Sequence, residues 1–522
     1  MKLKQKSHVI FLFWYLIFVC NRVLGASKNG DGGFRLEEKE EHHVKISDFP
    51  KGFIFGAASS SYQVEGGYIE DAKSLSNWDV FCHSVGCGKN RENGDVADYH
   101  YHLFLKDIEI MHSLGLKAYR FSISWARILP RGKFGEVNIA GIMFYDKIIN
   151  NLILKGIEPF VTINHYDFPQ ELEDRFGSWL NGEMQEHFVH LADTCFKYFG
   201  DRVKYWATIN EPNLFTNFAY KWGIYPPSRC SKFYGNCHTG NSEVEPLIVM
   251  HNMLLAHGKA VELYRQKYKL KQAGLLGIVV NCHTFIPLTE SLLDIEAAKR
   301  AVLDPLIYGE YPLEMLKYIG SDLPSFSIKE KKIVKNSLDF IGINHYSSFY
   351  VKDCTNSTCS PIANRPIQGF LDIVVERDGV LIGEPTGMED TYVVPNGMEK
   401  IVNQIKFRYK NKPMFITENG YSSPDLQEKR VNVVLNDVKR VQFHLEYLEF
   451  LAKSIRKGAD VRGYFIWSLM DSYEWLTGYN LKFGLYYVDR LTLTRIPKLS
   501  ARWYKSFLIE NTTDLVNIKA YA

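Results

Sequence analysis

Two glutamates stand at the ends of two short apolar runs, where their carboxyl groups could act as acid, base or nucleophile. Glu418 closes a run that begins at Pro413, and the turn pair Asn419-Gly420 follows it. Glu211 closes a second run of the same kind, Tyr205–Asn210. Cleavage of a glycosidic bond needs two carboxyl groups that flank the bond, one protonated and one ionised. We therefore predict that two strands deliver these carboxyl groups to one cavity.

The elements that must position these glutamates follow a repeating pattern of amphipathic helix and short buried strand. One helical pattern, with Ile108, Met111 and Leu114 on one face, ends at Gly115 and leads into the run Ala118–Ser122. Helices that alternate with buried strands predict a parallel sheet. About eight strand-like runs occur, at 53–58, 118–122, 160–164, 205–210, 276–281, 340–344, 414–418 and 463–467.

Eight parallel strands within one domain favour an α/β fold, a single (β/α)8 TIM barrel with extended βα loops. In such a barrel the active site lies at the carboxyl ends of the strands. The structural alternative is an open doubly wound sheet, which would more often carry a glycine-rich phosphate loop, and none is evident. The polar and aromatic residues at the strand ends that should face one cavity are Gln63, Arg120, His165, Asn210, Glu211, Asn344, Tyr346, Glu418, Trp467 and Glu474.

Paired carboxyl groups work as acid and nucleophile only when their surroundings push their pKa values apart. Arg120 and a tyrosine hydroxyl could keep Glu418 ionised, and a more apolar setting could keep Glu211 protonated. For a single glutamate at a strand end, a structural ion pair is the ordinary alternative. Two glutamates in matching contexts favour catalysis over that alternative.

Composition and charge exclude several other classes of protein. The 522 residues carry a formal net charge of only +3, with both signs interspersed, so binding to nucleic acid is not expected. Aromatic residues reach 14%, which fits either a large aromatic core or a sugar site with walls of rings. Because no Cys-x-x-Cys pair occurs and the histidines lack zinc spacing, we expect neither a metal nor a cofactor.

The N-terminus has the pattern of a secretory signal. Three lysines precede an apolar run, Val9–Cys20, and the small residues Gly25 and Ala26 follow. A membrane anchor is the alternative, but the run is shorter than the roughly 20 residues that a span requires. In an exported chain, Asn356 and Asn511 would be glycosylation acceptors. The predicted layout is a signal peptide at 1–25, a mobile segment at 26–44, one domain at 45–510 and a tail at 511–522.

An oxidising destination changes how the cysteines are interpreted, and eight of them remain after removal of the signal. Cys230–Cys237 and Cys354–Cys359 each bracket a short polar loop and are candidate disulfides. Cys82 and Cys87 are a weaker third candidate pair. The remaining two, expected to be buried free thiols, are Cys195 and Cys282.

Two five-residue stretches resemble the signature motifs of family 1 glycoside hydrolases, the retaining β-glucosidases. They are Thr208–Pro212, with the sequence Thr-Ile-Asn-Glu-Pro, and Ile416–Gly420, with the sequence Ile-Thr-Glu-Asn-Gly. The resemblance implies a barrel that hydrolyses small-molecule β-glucosides without a cofactor. It extends from Phe49 to Phe507, and the other matching stretches are Ser61–Gly66, Tyr119–Trp125, Asn164–Pro169, Trp467–Trp475 and Lys482–Asp489.

The resemblance also implies a role for each matching residue. Glu211 would be the general acid and then base, and Glu418 the nucleophile that forms a covalent glucosyl enzyme. Arg120, Tyr346 and Asn344 would support the nucleophile. The residues implied to contact the substrate are Gln63, His165, Asn210, Tyr346, Trp467, Glu474, Trp475 and Phe483.

Within the family, the chain is most similar to plant enzymes. The segment Cys230–Glu243 and the stretch Pro395–Met398 resemble secreted β-glucosidases that release monolignols from coniferin-like glucosides. This resemblance implies phenolic or monolignol glucosides as substrates, and the cell wall, apoplast or vacuole as destination. Thioglucosidases carry Gln in place of Glu211, and phosphoglucosidases replace the pair Glu474-Trp475, so neither activity is expected.

Two departures from the family pattern leave other functions open. Asp390 stands where plant relatives usually carry a Trp that walls the aglycone site. The stretch Ala297–Pro305 is about two helical turns shorter than in relatives. If the shortening disturbs packing, the chain would be a catalytically impaired, glycan-binding barrel. A transglucosidase, which would use the same carboxyl pair, is the second alternative.

Overall fold

Eight short strands, each close to its predicted position, form the centre of the molecule. The structure, a computed structural model, describes residues 44–88, 91–298, 304–355, 358–359, 370–424 and 431–509. The predicted signal peptide, C-terminal tail and acceptors Asn356 and Asn511 lie outside the described residues. The strands are β1 (Ile54–Ala58), β2 (Ala118–Ser122), β3 (Glu158–Asn164), β4 (Tyr205–Asn210), β5 (Leu275–Asn281), β6 (Phe340–Asn344), β7 (Met414–Asn419) and β8 (Val461–Trp467).

All eight strands run parallel, and hydrogen bonds join them in sequence order into a closed barrel. Ala57 of β1, for example, lies opposite Tyr119 of β2 and Ile466 of β8. This closure confirms the predicted TIM barrel and excludes the open doubly wound sheet. Because the strands are parallel, their carboxyl ends meet at one rim of the barrel.

A helix follows each strand on the outside of the barrel. Helix α1 buries Ile108, Met111 and Leu114 on one face and ends at Gly115, whose left-handed φ of 79° suits glycine. Helix α7 begins at Val438 and buries one face that includes Val441, Leu448 and Leu451. The helices are α1 (His100–Leu114), α2 (Ile139–Leu154), α3 (Glu183–Phe199), α4 (Glu245–Lys267), α5 (Ile328–Val334), α6 (Asn396–Arg408), α7 (Val438–Arg456) and α8 (Leu499–Ile509).

The inside of the barrel is filled by aromatic rings that come from different strands. Phe160 of β3 lies 5.5 Å from the ring of Phe340, 5.5 Å from that of Phe415 and 5.2 Å from that of Phe465. All four rings are at most 1% exposed. A Cβ on Gly56 would lie 2.6 Å from the Phe465 ring, so the barrel needs glycine there to admit the phenylalanine. This packed floor closes the barrel beneath the rim.

Long loops follow β1, β4 and β6, as predicted. The bridge Cys230–Cys237 closes part of the loop after β4, and Cys354–Cys359 closes part of the loop after β6, so both candidate disulfides are present. No helix among the described residues is long and apolar enough to cross a membrane. Shorter helices in the described loops include Ser61–Val64, Asn77–Val85, Trp125–Ile128, Gln170–Phe176, Pro212–Thr216, Leu292–Ala297, Asp304–Tyr308, Leu313–Ile319 and Val431–Leu435.

The described residues on both sides of the gap at 299–303 are held by hydrogen bonds to other parts of the chain. On one side, Asp294 accepts a hydrogen bond from the backbone N–H of Asp353 at 2.8 Å. On the other side, Asp304 receives two hydrogen bonds from the Arg408 guanidinium and one from the Tyr409 hydroxyl. Residues 299–303 between them lie outside the described residues. The described flanks therefore keep ordinary, well-paired contacts despite the shortening.

Candidate active site

Glu418 lies near the carboxyl end of β7 and is held by two side chains from other strands and loops. The Arg120 Nη1 donates to its Oε1 at 2.6 Å, and the Tyr346 hydroxyl donates to its Oε2 at 2.7 Å. The pairing of β7 with β6 is irregular between Ile416 and Glu418, which locally changes the alternation of side chains. Both predicted partners of Glu418 are therefore in direct contact with it.

The charge state of Glu418 is set by opposing effects. Burial raises its pKa to about 7, and the negative charge of Glu211 acts in the same direction. The Arg120 charge and the hydrogen bonds from Arg120 and Tyr346 lower this pKa, but they offset only part of the effect of burial. The contacts that we expected to keep Glu418 ionised are therefore present. Burial nevertheless raises the pKa of Glu418, so the carboxyl group titrates near neutral pH.

Glu211 directly follows β4 and is surrounded by hydrogen-bond donors rather than by the apolar setting that we expected. Its Oε2 accepts from the Tyr166 hydroxyl, and its Oε1 accepts from the Asn281 and Asn344 amides, each at 2.9 Å. The backbone of Glu211 is left-handed, with φ 42°, a conformation that costs free energy outside glycine and often occurs at functional sites. Three donors therefore fix this carboxyl group in one orientation.

Asn344 has a different role from the predicted one. Its amide donates to Glu211, and its Oδ1 accepts from the Thr417 hydroxyl at 2.7 Å. We expected this residue to support Glu418 directly. The backbone of β6 does pair with that of β7 at this level, but the side chain reaches towards β4 instead.

Asn210 and His165 form a pair whose orientation follows from Arg120. The Arg120 Nη2 donates to Asn210 Oδ1 at 2.7 Å, so the Asn210 amide nitrogen is the atom that faces His165 Nε2, at 3.1 Å. Burial, aided by the Arg120 charge, holds the pKa of His165 well below its usual range. A neutral ring that accepts at Nε2 carries its proton on Nδ1, which has no partner among the described residues. That N–H is thus a buried donor whose hydrogen bond the described residues do not supply.

Gln63 and Glu474 lie side by side at another part of the rim. The Gln63 amide donates to the Tyr473 carbonyl at 2.7 Å, and the Ser472 hydroxyl donates to Glu474 at 3.2 Å. Burial raises the pKa of Glu474 well above its usual range, although hydrogen bonds from Ser472 and Gln63 lower it. A buried carboxyl group with neutral neighbours is suited to binding hydroxyl groups.

Aromatic side chains wall the same cavity. The Trp467 ring lies 5.9 Å from the His165 ring, and the Trp475 ring lies 6.0 Å from it on nearly parallel planes. Phe483 packs edge-on against Tyr346 at 6.1 Å. Flat apolar faces beside hydrogen-bonding groups are what a sugar ring needs, because its C–H faces are apolar and its rim carries hydroxyls.

Three functional contacts were missed in the sequence. Tyr166 lies inside a motif that we recognised, but the tyrosine itself was not singled out. Asn281 ends β5 in the same way that Asn210 ends β4, so strand-end position could have identified it. Trp78, whose ring lies 4.6 Å from that of Trp475, gave no signal beyond being aromatic.

The described residues contain no group of three or more His, Cys, Asp or Glu side chains suited to a metal ion. The absence of a metal or cofactor stays a prediction. What the site does contain is two carboxyl groups with separate sets of partners, neutral hydrogen-bond donors and aromatic walls. Such a site can protonate a leaving group, supply a nucleophile and hold a sugar ring.

Comparisons with known proteins agree with this chemistry. The family described as glycosyl hydrolase family 1 matches residues 45–513. "Probable inactive beta-glucosidase 14" from Oryza sativa subsp. japonica is 50% identical to this chain, and the match covers 89% of this chain and 92% of the relative. "Coniferin beta-glucosidase" from Pinus contorta is 46% identical, and the match covers 88% of this chain and 92% of the relative. A rice β-glucosidase mutant, solved in a covalent complex with Glc, superposes with a TM-score of 0.86 at 42% identity, covering 89% of this chain and 99% of that one.

Proposed function

The chain belongs to glycosyl hydrolase family 1, and we propose that it hydrolyses β-glucosides with retention of anomeric configuration, acting on phenolic or monolignol glucosides. The observation that carries this proposal is the pair Glu211 and Glu418, which lie at the ends of two barrel strands and have different hydrogen-bond partners. Arg120 contacts both Glu418 and Asn210, the residue before Glu211, which supports one shared site for the two carboxyl groups.

The reaction follows from the positions of these groups. Glu418 attacks the anomeric carbon while Glu211 gives its proton to the glycosidic oxygen, so the bond to the aglycone breaks and a glucosyl ester forms on Glu418. Glu211, now a base, takes a proton from water, and that water attacks the same carbon and releases glucose. Two inversions at one carbon give net retention. Only the ionised form of Glu418 can attack, so Arg120 and Tyr346 contribute by stabilising that form.

The residues around the pair supply the glucose subsite. The Nδ1–H of His165 is unpartnered within the described residues and can donate to a glucose hydroxyl. Gln63 and Glu474 offer polar atoms at another part of the rim, and Trp467 offers a ring face. Every one of these side chains is less than a tenth exposed, so substrate hydroxyls would bind in a water-poor setting that strengthens hydrogen bonds.

Two observations bear on the choice of aglycone: the name of one relative, and Asp390 in place of the Trp that is usual in plant relatives. The relative named coniferin β-glucosidase shares 46% identity over most of both chains, which supports a phenolic glucoside as substrate. Asp390 lies exposed on the hairpin that includes Tyr392–Val393, where a flat aglycone would otherwise find a ring. Loss of a ring contact worth roughly 1 kcal/mol would weaken the binding of a phenolic aglycone without affecting the glucose subsite.

Two alternative functions were left open by the sequence, and the described site favours hydrolysis. The impaired barrel has some support, since one relative is named probable inactive. However, the hydrogen-bond partners that the described residues supply to Glu211 and Glu418 all lie outside the shortened stretch. A transglucosidase would use the same pair, and product analysis with an added phenolic or sugar acceptor distinguishes it.

We also propose that the chain enters the secretory pathway and reaches the cell wall, the apoplast or a vacuole. The N-terminal pattern and the two disulfides in the loops after β4 and β6 support export. Glycosylation at Asn356 and Asn511 belongs to this proposal. Fractionation of cells that express a tagged full-length chain, with endoglycosidase treatment, tests it.

The decisive experiment follows the configuration of the first-formed sugar. Proton NMR during hydrolysis of coniferin should show β-glucose appearing before α-glucose. Glu418→Ala should lower turnover of an aryl β-glucoside by at least about 10³-fold. Initial formation of α-glucose, or near-native turnover by Glu418→Ala, would overturn the proposal.

A further inference from the structure

Two cysteines that the reaction does not use lie against each other beneath the site. Cys82, in the helix Asn77–Val85, has its Sγ 2.6 Å from the Sγ of Cys87 and 3.1 Å from the hydroxyl of Tyr473. Both cysteines are 2% exposed, and neither is bonded. The residue after Tyr473 is Glu474, so this thiol pair lies directly behind the proposed glucose subsite.

The spacing of the pair matches that of a bridge elsewhere in the chain. Cys82 and Cys87 are five residues apart, as are Cys354 and Cys359, which form a disulfide. Bonded sulfur atoms lie about 2.05 Å apart, so closing the gap between Cys82 and Cys87 requires a movement of only about half an ångström. The pair is therefore already in position for oxidation.

The segment around and after Cys87 contacts the rim of the site. We call residues 86–88 and 91–93 the support loop, and residues 473–480 the rim segment. The backbone N–H of Gly88 donates to the Leu476 carbonyl at 2.8 Å, and the N–H of Tyr479 donates to the Glu92 carboxylate at 2.8 Å. From the same helix as Cys82, Trp78 packs its ring against Trp475 at 4.6 Å.

We propose that Cys82 and Cys87 are oxidised to a third disulfide, which fixes the support loop against the rim segment and so holds Glu474 and Trp475 in position for sugar binding. In the cell, this oxidation rests on the proposed export of the chain. The geometry itself does not depend on the destination.

The oxidation is a thiol–disulfide exchange with a small disulfide such as oxidised glutathione. The Cys87 thiolate attacks one sulfur of that disulfide, forming a mixed disulfide and releasing one thiol. Cys82, after losing its proton, then attacks the Cys87 sulfur and releases the second thiol. One disulfide bond breaks and one forms, so the electrons balance. The hydrogen bond from Cys82 lowers the pKa of Cys87, which makes Cys87 the first attacker.

Access to Cys87 requires only a local opening. Val85, two residues before Cys87, is 64% exposed, and Arg91 of the support loop is exposed as well, so this part of the chain lies at the surface although the Cys87 sulfur is covered. Loops with exposed backbone open more often than the barrel core does. The small disulfide can therefore reach Cys87 without unfolding the barrel.

The first test is a chemical one on the full chain, purified in reduced form. The protein is incubated with oxidised and reduced glutathione, denatured with iodoacetamide present, digested and examined by mass spectrometry. We expect a peptide in which Cys82 is bonded to Cys87, alongside the bridges Cys230–Cys237 and Cys354–Cys359. Complete alkylation of Cys82 and Cys87 while the other two bridges form would overturn the proposal. Because the test uses purified protein, formation of the Cys82–Cys87 bridge supports the proposed disulfide even if the chain proves not to be exported.

The second test measures the effect on sugar binding. The double variant Cys82→Ser/Cys87→Ser is compared with the oxidised wild type. The two substitutions leave the other two bridges intact, so the two proteins differ only at this pair. We expect KM for an aryl β-glucoside to rise about three- to tenfold, with a smaller change in kcat. Cys195→Ala, which removes a buried thiol of α3, is the matched control and should leave KM unchanged. An unchanged KM in the double variant would refute the link to sugar binding.

Discussion

The hydroxyl of Tyr346 donates a hydrogen bond to Oε2 of Glu418 at 2.7 Å, on the carboxyl oxygen that Arg120 does not contact. The two carboxyl oxygens of Glu418, the proposed nucleophile, are thus held by two different donors. Both donors favour the ionised carboxylate and oppose the effect of burial, which raises the pKa of Glu418 to about 7.

Tyr346→Phe should move the acidic limb of the pH profile of kcat/KM to higher pH. Loss of the hydrogen bond raises the pKa of Glu418 further, so the nucleophile becomes protonated at a higher pH than in the wild type. The measurement is kcat/KM for an aryl β-glucoside between pH 4 and 9. Tyr504→Phe, whose hydroxyl donates to Gly56 instead, should leave the limb in place. An unmoved limb in Tyr346→Phe would contradict this assignment.

Glu474→Gln should stabilise the fold at neutral pH while weakening sugar binding. Burial raises the pKa of Glu474 in the folded state, so the fold loses stability as the pH rises above the unfolded value near 4.5, where the unfolded chain ionises first, and the loss is absent below that value. Because glutamine does not titrate, we expect a melting temperature about 2 °C or more above the wild type at pH 8 and no gain at pH 4. Thermal melts at both values test this. The exposed Glu389→Gln should show no such difference, and a gain that persists at pH 4 would rule out the ionisation argument.

Asn281→Ala should impair proton donation more than nucleophilic attack. The Asn281 amide donates to Glu211 at 2.9 Å, so its removal frees one of the three contacts that orient the acid. We expect kcat/KM to fall about tenfold for glucosides with poor leaving groups, which need the proton, and by much less for an activated aryl glucoside. A series of aryl β-glucosides with graded leaving-group pKa values measures this. Equal losses across the series would show that Asn281 has only a general structural effect.

Arg440→Gln should disturb the loops that follow β7 and β8. This buried guanidinium donates to the carbonyls of Tyr421, Phe483 and Lys482 and pairs with Asp437. Breaking a buried pair of this kind costs about 3–5 kcal/mol, so the melting temperature should fall clearly.

Because Phe483 lines the proposed site, the same variant should also raise KM. Arg456→Gln, on the exposed side of the same helix α7, is the matched control and should change neither quantity. A normal KM together with a lowered melting temperature would limit Arg440 to a role in stability.

The barrel was predictable because its signals are local. Each strand is a short apolar run with a turn or polar residue at its end, and each helix shows an apolar face with a period of 3.6 residues. The run Tyr205–Asn210, for instance, matches β4 at both ends. Glu211 and Glu418 were found in the same way, because their position after a strand is visible in the sequence.

The direction of individual side chains was not predictable from the same signals. The family resemblance implied that Asn344 supports Glu418, yet the amide of Asn344 donates to Glu211. The pairing of β6 with β7 shifts between Ile416 and Glu418, and such shifts depend on the whole barrel. Tyr166 was overlooked for a related reason, since its contact with Glu211 spans 45 residues of chain.

By itself, the sequence determined the order of helices and strands, the position of Glu211 and Glu418 at strand ends and the family to which the chain belongs. These properties follow from hydrophobic period and turn chemistry, which act over a few residues. The tertiary structure decided which donors hold Glu211 and Glu418, that burial raises the pKa of the nucleophile, and that Cys82 lies against Cys87 behind the rim. Those properties depend on closure of the barrel, because burial and hydrogen-bond partners arise only when distant segments pack together.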